Sequence, residues 1–215
     1  MKVVLAAINA KYIHSNLAVY SLRAYTKKYR ANIELAEYTI NNYIDDILMG
    51  IYEKKPDIVA FSCYIWNINL VLQVAEEIRK VLPEIKIWLG GPEVTYDASK
   101  ILKKHPYIDG IMIGEGEQTF YDLMTYYQEQ EMLLDQVRGI AFRESAKIQV
   151  MNQMAYVGAH DVESPVMEHS EIVVTEPQVP MNMDDIPFVY EDMADFKNKI
   201  IYYEVCILDI LQTGL

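Results

Sequence analysis

The sequence predicts an α/β protein in which helices cover both faces of a doubly wound parallel sheet of five strands. Short apolar runs alternate with amphipathic segments of helical length along residues 1–130. This alternation is typical of parallel strands joined by right-handed helical crossovers. Most of the apolar runs are continuous, as expected for strands that are buried on both faces. With 52% hydrophobic residues, the 215-residue chain can also form a sizeable core.

The strands are predicted from short runs of apolar and β-branched residues. Residues 2–8, KVVLAAI, form a continuous apolar run. Residues 31–40 alternate between apolar and polar, which favours a strand nearer the edge of the sheet. The remaining runs are again mostly apolar, and the fourth ends in two glycines. The five predicted strands are 2–8, 31–40, 57–64, 85–91 and 108–114.

The helices are predicted from apolar residues spaced three and four apart. In the first, Leu17, Tyr20 and Ala24 follow this spacing, and Pro56 ends the second. The predicted helices are 16–29, 43–54, 67–82, 97–104 and 115–130. We therefore predict a Rossmann-like or flavodoxin-like domain over residues 1–151. Its last part, 137–151, is predicted to be a small β-hairpin that turns near Ser145 and Ala146.

The composition changes after about residue 152. Residues 152–215 begin with an acidic stretch that contains four prolines, which predicts an extended linker and not a second core. The last segment, 197–215, is apolar and starts like a strand. We expect it to add to a sheet edge or to mediate self-association, for example in a homodimer.

Charge and cysteine content limit the classes of partner. The net charge of −12 disfavours nucleic acid and anionic membranes as partners. Two cysteines cannot form a disulfide framework and fit a reducing compartment. The sequence contains no stretch of about 18 apolar residues, which a membrane-spanning helix would need. We therefore expect a cytoplasmic protein, and the spacing of the four histidines does not predict a metal site.

The loops that follow the strands are the places to look for a ligand site, because open α/β sheets bind ligands beyond the carboxyl ends of their strands. The first loop, 9–16, contains no glycine, which argues against a dinucleotide or flavin phosphate loop. Its side chains Asn9, Lys11, Tyr12 and His14 suit contact with a bulky ligand. Equally, His14 could simply pack at the start of a helix.

The other loops combine small residues with polar ones. Ser62 and Tyr64 end a strand and could hydrogen-bond a ligand, whereas Cys63 is interpreted as a packed residue because no acid–base partner is evident in its loop. Gly90 and Gly91 allow positive φ or a close backbone approach. In the sequence GEGE, 114–117, the acids also suit the positive end of a helix dipole.

Four segments together resemble a known family. NAKYIHSNLAVYSLRAY, DIVAFSCYIWN, WLGGPEVTYD and GIMIGEGEQTF follow in this order. They resemble the N-terminal cobalamin-binding domain of B12-dependent radical S-adenosylmethionine (SAM) proteins of the methyltransferase type. The resemblance covers about residues 1–150, and residues 183–204 are similar to the lead-in to the radical SAM barrel.

The resemblance implies cobalamin as the cofactor, with the corrin ring over the carboxyl ends of the strands and the nucleotide tail beside Ser62 and the Gly90–Gly91 turn. Lys11, Tyr12 and His14 would border the ring, opposite Glu93 and the GEGE loop. The residues that the resemblance places at the cofactor are Asn9, Ala10, Lys11, Tyr12, His14, Ser15, Asn16, Ser62, Cys63, Tyr64, Gly90, Gly91, Pro92, Glu93, Gly114, Glu115, Gly116 and Glu117.

Two departures from related sequences qualify this expectation. Cobalamin domains with a cobalt-ligating histidine have D-x-H-x-x-G, but Tyr12 and Leu17 stand at the aspartate and glycine positions here. We therefore expect binding without a histidine ligand. The family also continues into C-x-x-x-C-x-x-C, of which only Cys206 is present. A [4Fe–4S] cluster and SAM are thus expected only in a full-length protein with the barrel in cis, and this chain alone is expected to be inactive.

Two alternatives are open at this point. A domain of the same ancestry could have lost the cofactor and serve as a docking module, which a cleft plugged by Tyr12, Trp66 or Tyr96 would favour. An open cleft lined by Ser62 and the two glycines would favour cobalamin. A free-standing α/β enzyme would need a nucleophile–base pair or a phosphate loop at the strand ends, and neither is evident.

Overall fold

Five parallel strands form the larger part of the sheet. The structure is a computed structural model that describes residues 1–10, 16–144, 171–187 and 189. The strands are β1 (Val3–Asn9), β2 (Ile33–Thr39), β3 (Ile58–Ser62), β4 (Lys86–Gly90) and β5 (Gly110–Met112). They lie in the order β2-β1-β3-β4-β5, with β2 at the edge. This is the flavodoxin-like order, and the predicted parallel α/β sheet is confirmed.

Helices cover the sheet on both faces. They are α1 (Leu17–Tyr25), α2 (Ile44–Tyr52), α3 (Ile68–Val81), α4 (Pro92–Thr95), α5 (Ala98–Lys104) and α6 (Gly116–Glu129). Buried residues of α2 to α5 form a core on one face, and those of α1 and α6 form a second core on the other. Short 3₁₀ helices span Lys27–Asn32, Leu134–Gln136 and Met183–Asp185.

Two antiparallel strands extend the sheet beyond the predicted five. Strand β6 (Ile140–Arg143) pairs with β5, and β7 (Ile172–Val174) pairs with β6. The expected hairpin partner, within 147–151, lies outside the described residues. Both edges of β6 already have other partners, so the hairpin prediction was wrong in placing that partner beside β6. The second partner is β7, from the segment that was expected to be a linker.

The register of the central strands brings small residues together at the carboxyl edge. Ala7 pairs with Ser62, and Ser62 pairs with Gly90. Because side chains alternate between the two faces of a strand, this row and the row two residues before it face α1 and α6. The chain order reverses between β1 and β3, which is where open α/β sheets form a crevice for ligands.

Candidate ligand-binding site

A pocket of about 120 Å³ lies between the carboxyl ends of the strands and helices α1 and α6. Most of its lining is apolar, and its polar side chains are those of Ser62, Tyr64 and Glu117. Small-molecule sites typically measure about 300–1,000 Å³. The pocket as it stands therefore suits a narrow part of a ligand and not a whole one. Its lining residues are Leu5, Ala18, Val19, Leu22, Ala60, Phe61, Ser62, Tyr64, Gly90, Gly91, Met112, Gly114, Gly116 and Glu117.

The pocket exists because small residues meet at the strand ends. Ser62 and Gly90 lie side by side in the sheet, and Ala60 lies two residues before Ser62 on the same face. A Cβ atom at Gly90 would lie 3.1 Å from Cε of Met112. At Gly114, which has a φ of +82°, a Cβ would meet no atom within 4 Å. The pocket is thus left open because the residues at these positions are glycines or have small side chains.

Ser62 lines the pocket, and its hydroxyl oxygen is buried without a hydrogen-bond partner among the described residues. The residue is 8% exposed, and its Oγ is buried. Within the described residues no donor or acceptor pairs with this oxygen. A buried hydroxyl without a partner costs about 1–3 kcal/mol, so such a group is uncommon in a folded protein. Among the residues that line the pocket, Ser62 is the one with a buried side-chain oxygen that lacks a partner in the described structure.

The turn after β4 packs tightly against the turn after β3. Gly91 has a φ of +112°, and a Cβ there would lie 2.5 Å from the carbonyl oxygen of Cys63. The amide of Cys63 in turn donates to the carbonyl of Gly90 at 2.7 Å. Only glycine fits this approach without strain. The double glycine therefore joins the ends of β3 and β4 beside the pocket.

Cys63 faces away from the pocket. Its side chain is fully buried in the core formed with α2 to α5. Burial raises the pKa of the thiol to about 12, which leaves it protonated at neutral pH. The interpretation of Cys63 as a packed residue is confirmed.

One carboxamide fixes the ends of two strands. Asn67 is 1% exposed, and its Nδ2 donates to the carbonyls of Ile8 at 2.8 Å and Ser62 at 2.9 Å. Its Oδ1 accepts from the amide of Tyr64 at 2.8 Å. Asn67 stands at the N-cap of α3, but its side chain makes no capping bond to that helix. It holds the β1 and β3 ends together where the chain order reverses.

The carboxylate of Glu37 hydrogen-bonds to the residues on either side of the loop that follows β1. Oε1 of Glu37 accepts from the backbone amide of Asn16 at 3.0 Å and from Nδ2 of Asn9 at 3.4 Å. Its Oε2 accepts from the hydroxyl of Tyr20 at 2.7 Å. Asn16 also donates to Asn9 at 3.2 Å. Asn9 and Asn16 are buried in this network and do not line the pocket.

Of the aromatic residues Tyr64, Trp66 and Tyr96, only Tyr64 lines the pocket. Tyr64 lines the pocket and stacks on Trp66, with ring centroids 4.5 Å apart. Trp66 is 46% exposed and Tyr96 is 92% exposed, and neither lines the pocket. Of the three aromatic residues named as possible plugs of the cleft, these two do not line the pocket. The third, Tyr12, lies outside the described residues.

The structure brings together only part of the predicted site. Seven of the predicted residues line the pocket: Ser62, Tyr64, Gly90, Gly91, Gly114, Gly116 and Glu117. Six others lie close to it in sequence but not in its lining: Asn9, Asn16, Cys63, Pro92, Glu93 and Glu115. Ala10 is half-buried and also lies outside the lining. Lys11, Tyr12, His14 and Ser15 lie outside the described residues.

The described residues contain neither a metal cluster nor a spanning helix. No three His, Cys, Asp or Glu side chains among them are placed to hold a metal ion. Likewise, none of the helices in the described ranges is long and apolar enough to cross a membrane.

Comparison with known families identifies the domain. A family model for the B12 binding domain matches residues 3–124, more than half of the chain. The chain belongs to the B12 binding domain family. The match includes all five parallel strands and most of α6, and thus every residue that lines the pocket.

The chain is similar over its B12-binding domain to parts of longer curated proteins. Over 104 residues the chain is 31% identical to the cobalamin-dependent radical SAM methyltransferase TokK of Streptomyces tokunonensis. Over 103 residues it is 36% identical to the anaerobic magnesium-protoporphyrin IX monomethyl ester cyclase of Rubrivivax gelatinosus. These regions cover 48% and 46% of this chain but only 15% and 18% of the two relatives.

A solved structure shows the same fold. The cobalamin-dependent SAM radical enzyme OxsB, with aqua-cobalamin and SAM bound, superposes with a TM-score of 0.64 at 17% identity. The superposition covers 90% of this chain and 24% of that chain. The chain is therefore a B12-binding domain similar to those of cobalamin-dependent radical SAM methyltransferase-like proteins.

Proposed function

We propose that this chain binds cobalamin, with the nucleotide tail of the ligand entering the pocket between α1 and α6. The observation that supports this most is the buried, unpartnered Oγ of Ser62, a residue that lines the pocket. The residues beside it are small, so a tail can run along the sheet there. The pocket is narrow, which agrees with a site for the tail and leaves the larger corrin ring above the strand ends.

Several residues prepare the site for this ligand. Ser62 offers a hydroxyl, and Asn67 fixes the turn on which Ser62 lies. Glu37 anchors both ends of the loop whose residues Lys11, Tyr12 and His14 we propose to border the corrin ring. Because Tyr12 replaces the aspartate of D-x-H-x-x-G, we propose that His14 is a contact at the rim and not a cobalt ligand. When bound, cobalamin supplies a cobalt centre that can hold a methyl group.

For the full-length protein we propose a radical SAM barrel in cis, with a [4Fe–4S] cluster and SAM. The names of the relatives support this part of the proposal. Residues 1–151 would form the binding domain and residues 152–215 the lead-in to the barrel, with the β7 segment returning to the sheet. By itself the chain would bind cobalamin without catalysing a reaction.

Titration with aquacobalamin tests the proposal. We expect a change in the visible spectrum that saturates at one cobalamin per chain. Ala18 lines the pocket, so Ala18→Trp should place an indole ring at its mouth and weaken binding at least tenfold. Ala24→Trp is the matched control, because Ala24 is half-buried on the same helix but does not line the pocket.

Two results would contradict the proposal. If aquacobalamin gives no spectral change and no cobalt is retained after gel filtration, the chain does not bind the cofactor. That outcome would favour the docking module as the function. If both tryptophan variants bind equally well, the ligand lies elsewhere.

A further inference from the structure

Glu117 is the one charged residue in the lining of the pocket. It lies in the first turn of α6, and its Oε1 accepts from the hydroxyl of Ser21 on α1 at 2.7 Å. In the part of the chain that the structure describes, this is the only hydrogen bond of the carboxylate. Oxygen Oε2 accepts no hydrogen bond from the described residues, and Glu117 lines the pocket.

The close approach of α1 to α6 holds this carboxylate in position. At Gly116, a Cβ atom would lie 3.0 Å from Cδ2 of Leu22 on α1, so the two helices pack closely beside Glu117. Ser21 is 7% exposed, which restricts the rotation of its hydroxyl group toward solvent. Ser21 thus acts as a positioning residue for Glu117.

The chemistry of the pair Glu117 and Ser62 limits what can bind between them. A carboxylate only accepts hydrogen bonds, and it repels phosphate. The hydroxyl of Ser62 can donate or accept. The rest of the lining, apart from Tyr64, is apolar or glycine. A neutral group with hydroxyl donors therefore fits this part of the pocket, and a phosphodiester does not.

We propose that Glu117 recognises a ribose hydroxyl of the nucleotide tail and thereby selects corrinoids that have this tail. The inference rests on the proposed function, because it assumes that the tail enters this pocket. A position at the start of α6 also places the carboxylate near the positive end of the helix dipole, which stabilises the helix. If Glu117 only stabilised the helix, its substitution would not change the relative affinity for corrinoids with and without the nucleotide tail.

The test compares two corrinoids, aquacobalamin and diaquocobinamide, which lacks the nucleotide tail. We expect the 215-residue chain to bind aquacobalamin more tightly. Glu117→Gln keeps the size of the side chain but removes its charge, and it should raise the Kd for aquacobalamin about tenfold because hydrogen bonds to charged groups are the stronger ones. The Kd for diaquocobinamide should change less than twofold.

Two further variants control for structural effects. Gln118→Ala removes the neighbouring bond between α1 and α6, from the hydroxyl of Tyr25 to Oε1 of Gln118 at 2.7 Å, and Gln118 does not line the pocket. It should leave both Kd values within twofold. Ser21→Ala keeps the carboxylate of Glu117 but removes the hydrogen bond that positions it, and it should weaken the binding of aquacobalamin alone, by about threefold. It also decides the matter if circular dichroism shows that Glu117→Gln does not fold.

The outcomes separate this inference from the proposed function. Equal affinity of the unaltered chain for the two corrinoids would overturn the inference while cobalamin binding stands. An equal loss for both corrinoids in Glu117→Gln would also overturn it, since the residue would then act through the shape of the pocket. Binding of neither corrinoid would overturn the proposed function, and the inference with it.

Discussion

Replacement of Ser62 by alanine should stabilise the chain and weaken its affinity for cobalamin at the same time. The Oγ of Ser62 is buried without a partner in the described structure, and such a group costs about 1–3 kcal/mol. Its removal should raise the free energy of unfolding by about 1 kcal/mol, since the small void left behind offsets part of the gain. In a chain of this size, that corresponds to an increase in Tm of about 2–4 °C.

The same substitution removes the hydrogen bond that Ser62 offers to a ligand. A neutral hydrogen bond contributes about 0.5–1.5 kcal/mol, so the Kd for aquacobalamin should rise about 2- to 10-fold. A residue that serves only the fold would not show opposite effects on stability and binding. Urea unfolding followed by far-ultraviolet circular dichroism measures the first effect, and absorbance titration measures the second.

Ser21 is the matched control for the stability measurement, because it is as buried as Ser62 but has a partner. Ser21→Ala breaks the bond to Glu117 and should lower the free energy of unfolding by about 1–2 kcal/mol, after allowance for the better helix propensity of alanine. Ser99→Ala, on α5 at the opposite face, should leave the Kd unchanged. If Ser62→Ala loses as much stability as Ser21→Ala, Oγ has a partner in the folded chain and the reasoning is wrong.

Three further predictions concern the surroundings of the site. Gly139→Ala should lower the free energy of unfolding by about 2–4 kcal/mol, because φ is +72° and the new Cβ would lie 2.9 Å from Oγ1 of Thr119. At Gly114 φ is +82° but a Cβ would meet open space, so Gly114→Ala should lower the free energy of unfolding by only about 1 kcal/mol. Urea unfolding measures both variants, and an equal loss of stability in Gly114→Ala and Gly139→Ala would refute the packing argument. Asn67→Asp turns a carboxylate toward two carbonyl groups and should lose about 3 kcal/mol or more, whereas an unchanged Tm would contradict the role given to its carboxamide. The raised pKa of Cys63 keeps its thiol protonated in the folded chain while the thiol of the unfolded chain ionises above its ordinary value of 9.0. Folded stability should therefore fall above pH 9, by up to about 1.4 kcal/mol per pH unit from this group. The stability difference between the unaltered chain and Cys63→Ala should shrink from pH 8 to pH 10, and a constant difference would contradict the shift.

The sequence was sufficient for the parallel part of the sheet because its strands are buried on both faces. Short continuous apolar runs such as 2–8 and 57–64 favour a strand that is buried on both faces of the sheet. Strand β7 was not predicted, because it has only three residues in an acidic, proline-containing segment. Its strand conformation depends on pairing with β6, which is a tertiary effect that local composition does not show.

The site was predicted in part, for a similar reason. Ser62, Gly90 and Gly91 could be named because they stand at the ends of apolar runs, where open α/β sheets bind ligands. The row that Ser62 and Gly90 form with Ala7 depends on strand register, which the sequence alone does not fix. Glu37 and Asn67 were missed as organising residues, since their partners lie 17 to 28 and up to 59 positions away in the chain.

The crystal structure of the chain grown with aquacobalamin tests the central claim most directly. The anomalous signal of cobalt locates the metal without reference to the protein model. We predict that cobalt lies above the carboxyl ends of the strands, with the nucleotide tail between α1 and α6 and within hydrogen-bond distance of Ser62. A tail that lies outside this pocket, or cobalt bound at another surface of the chain, would contradict the proposed binding mode.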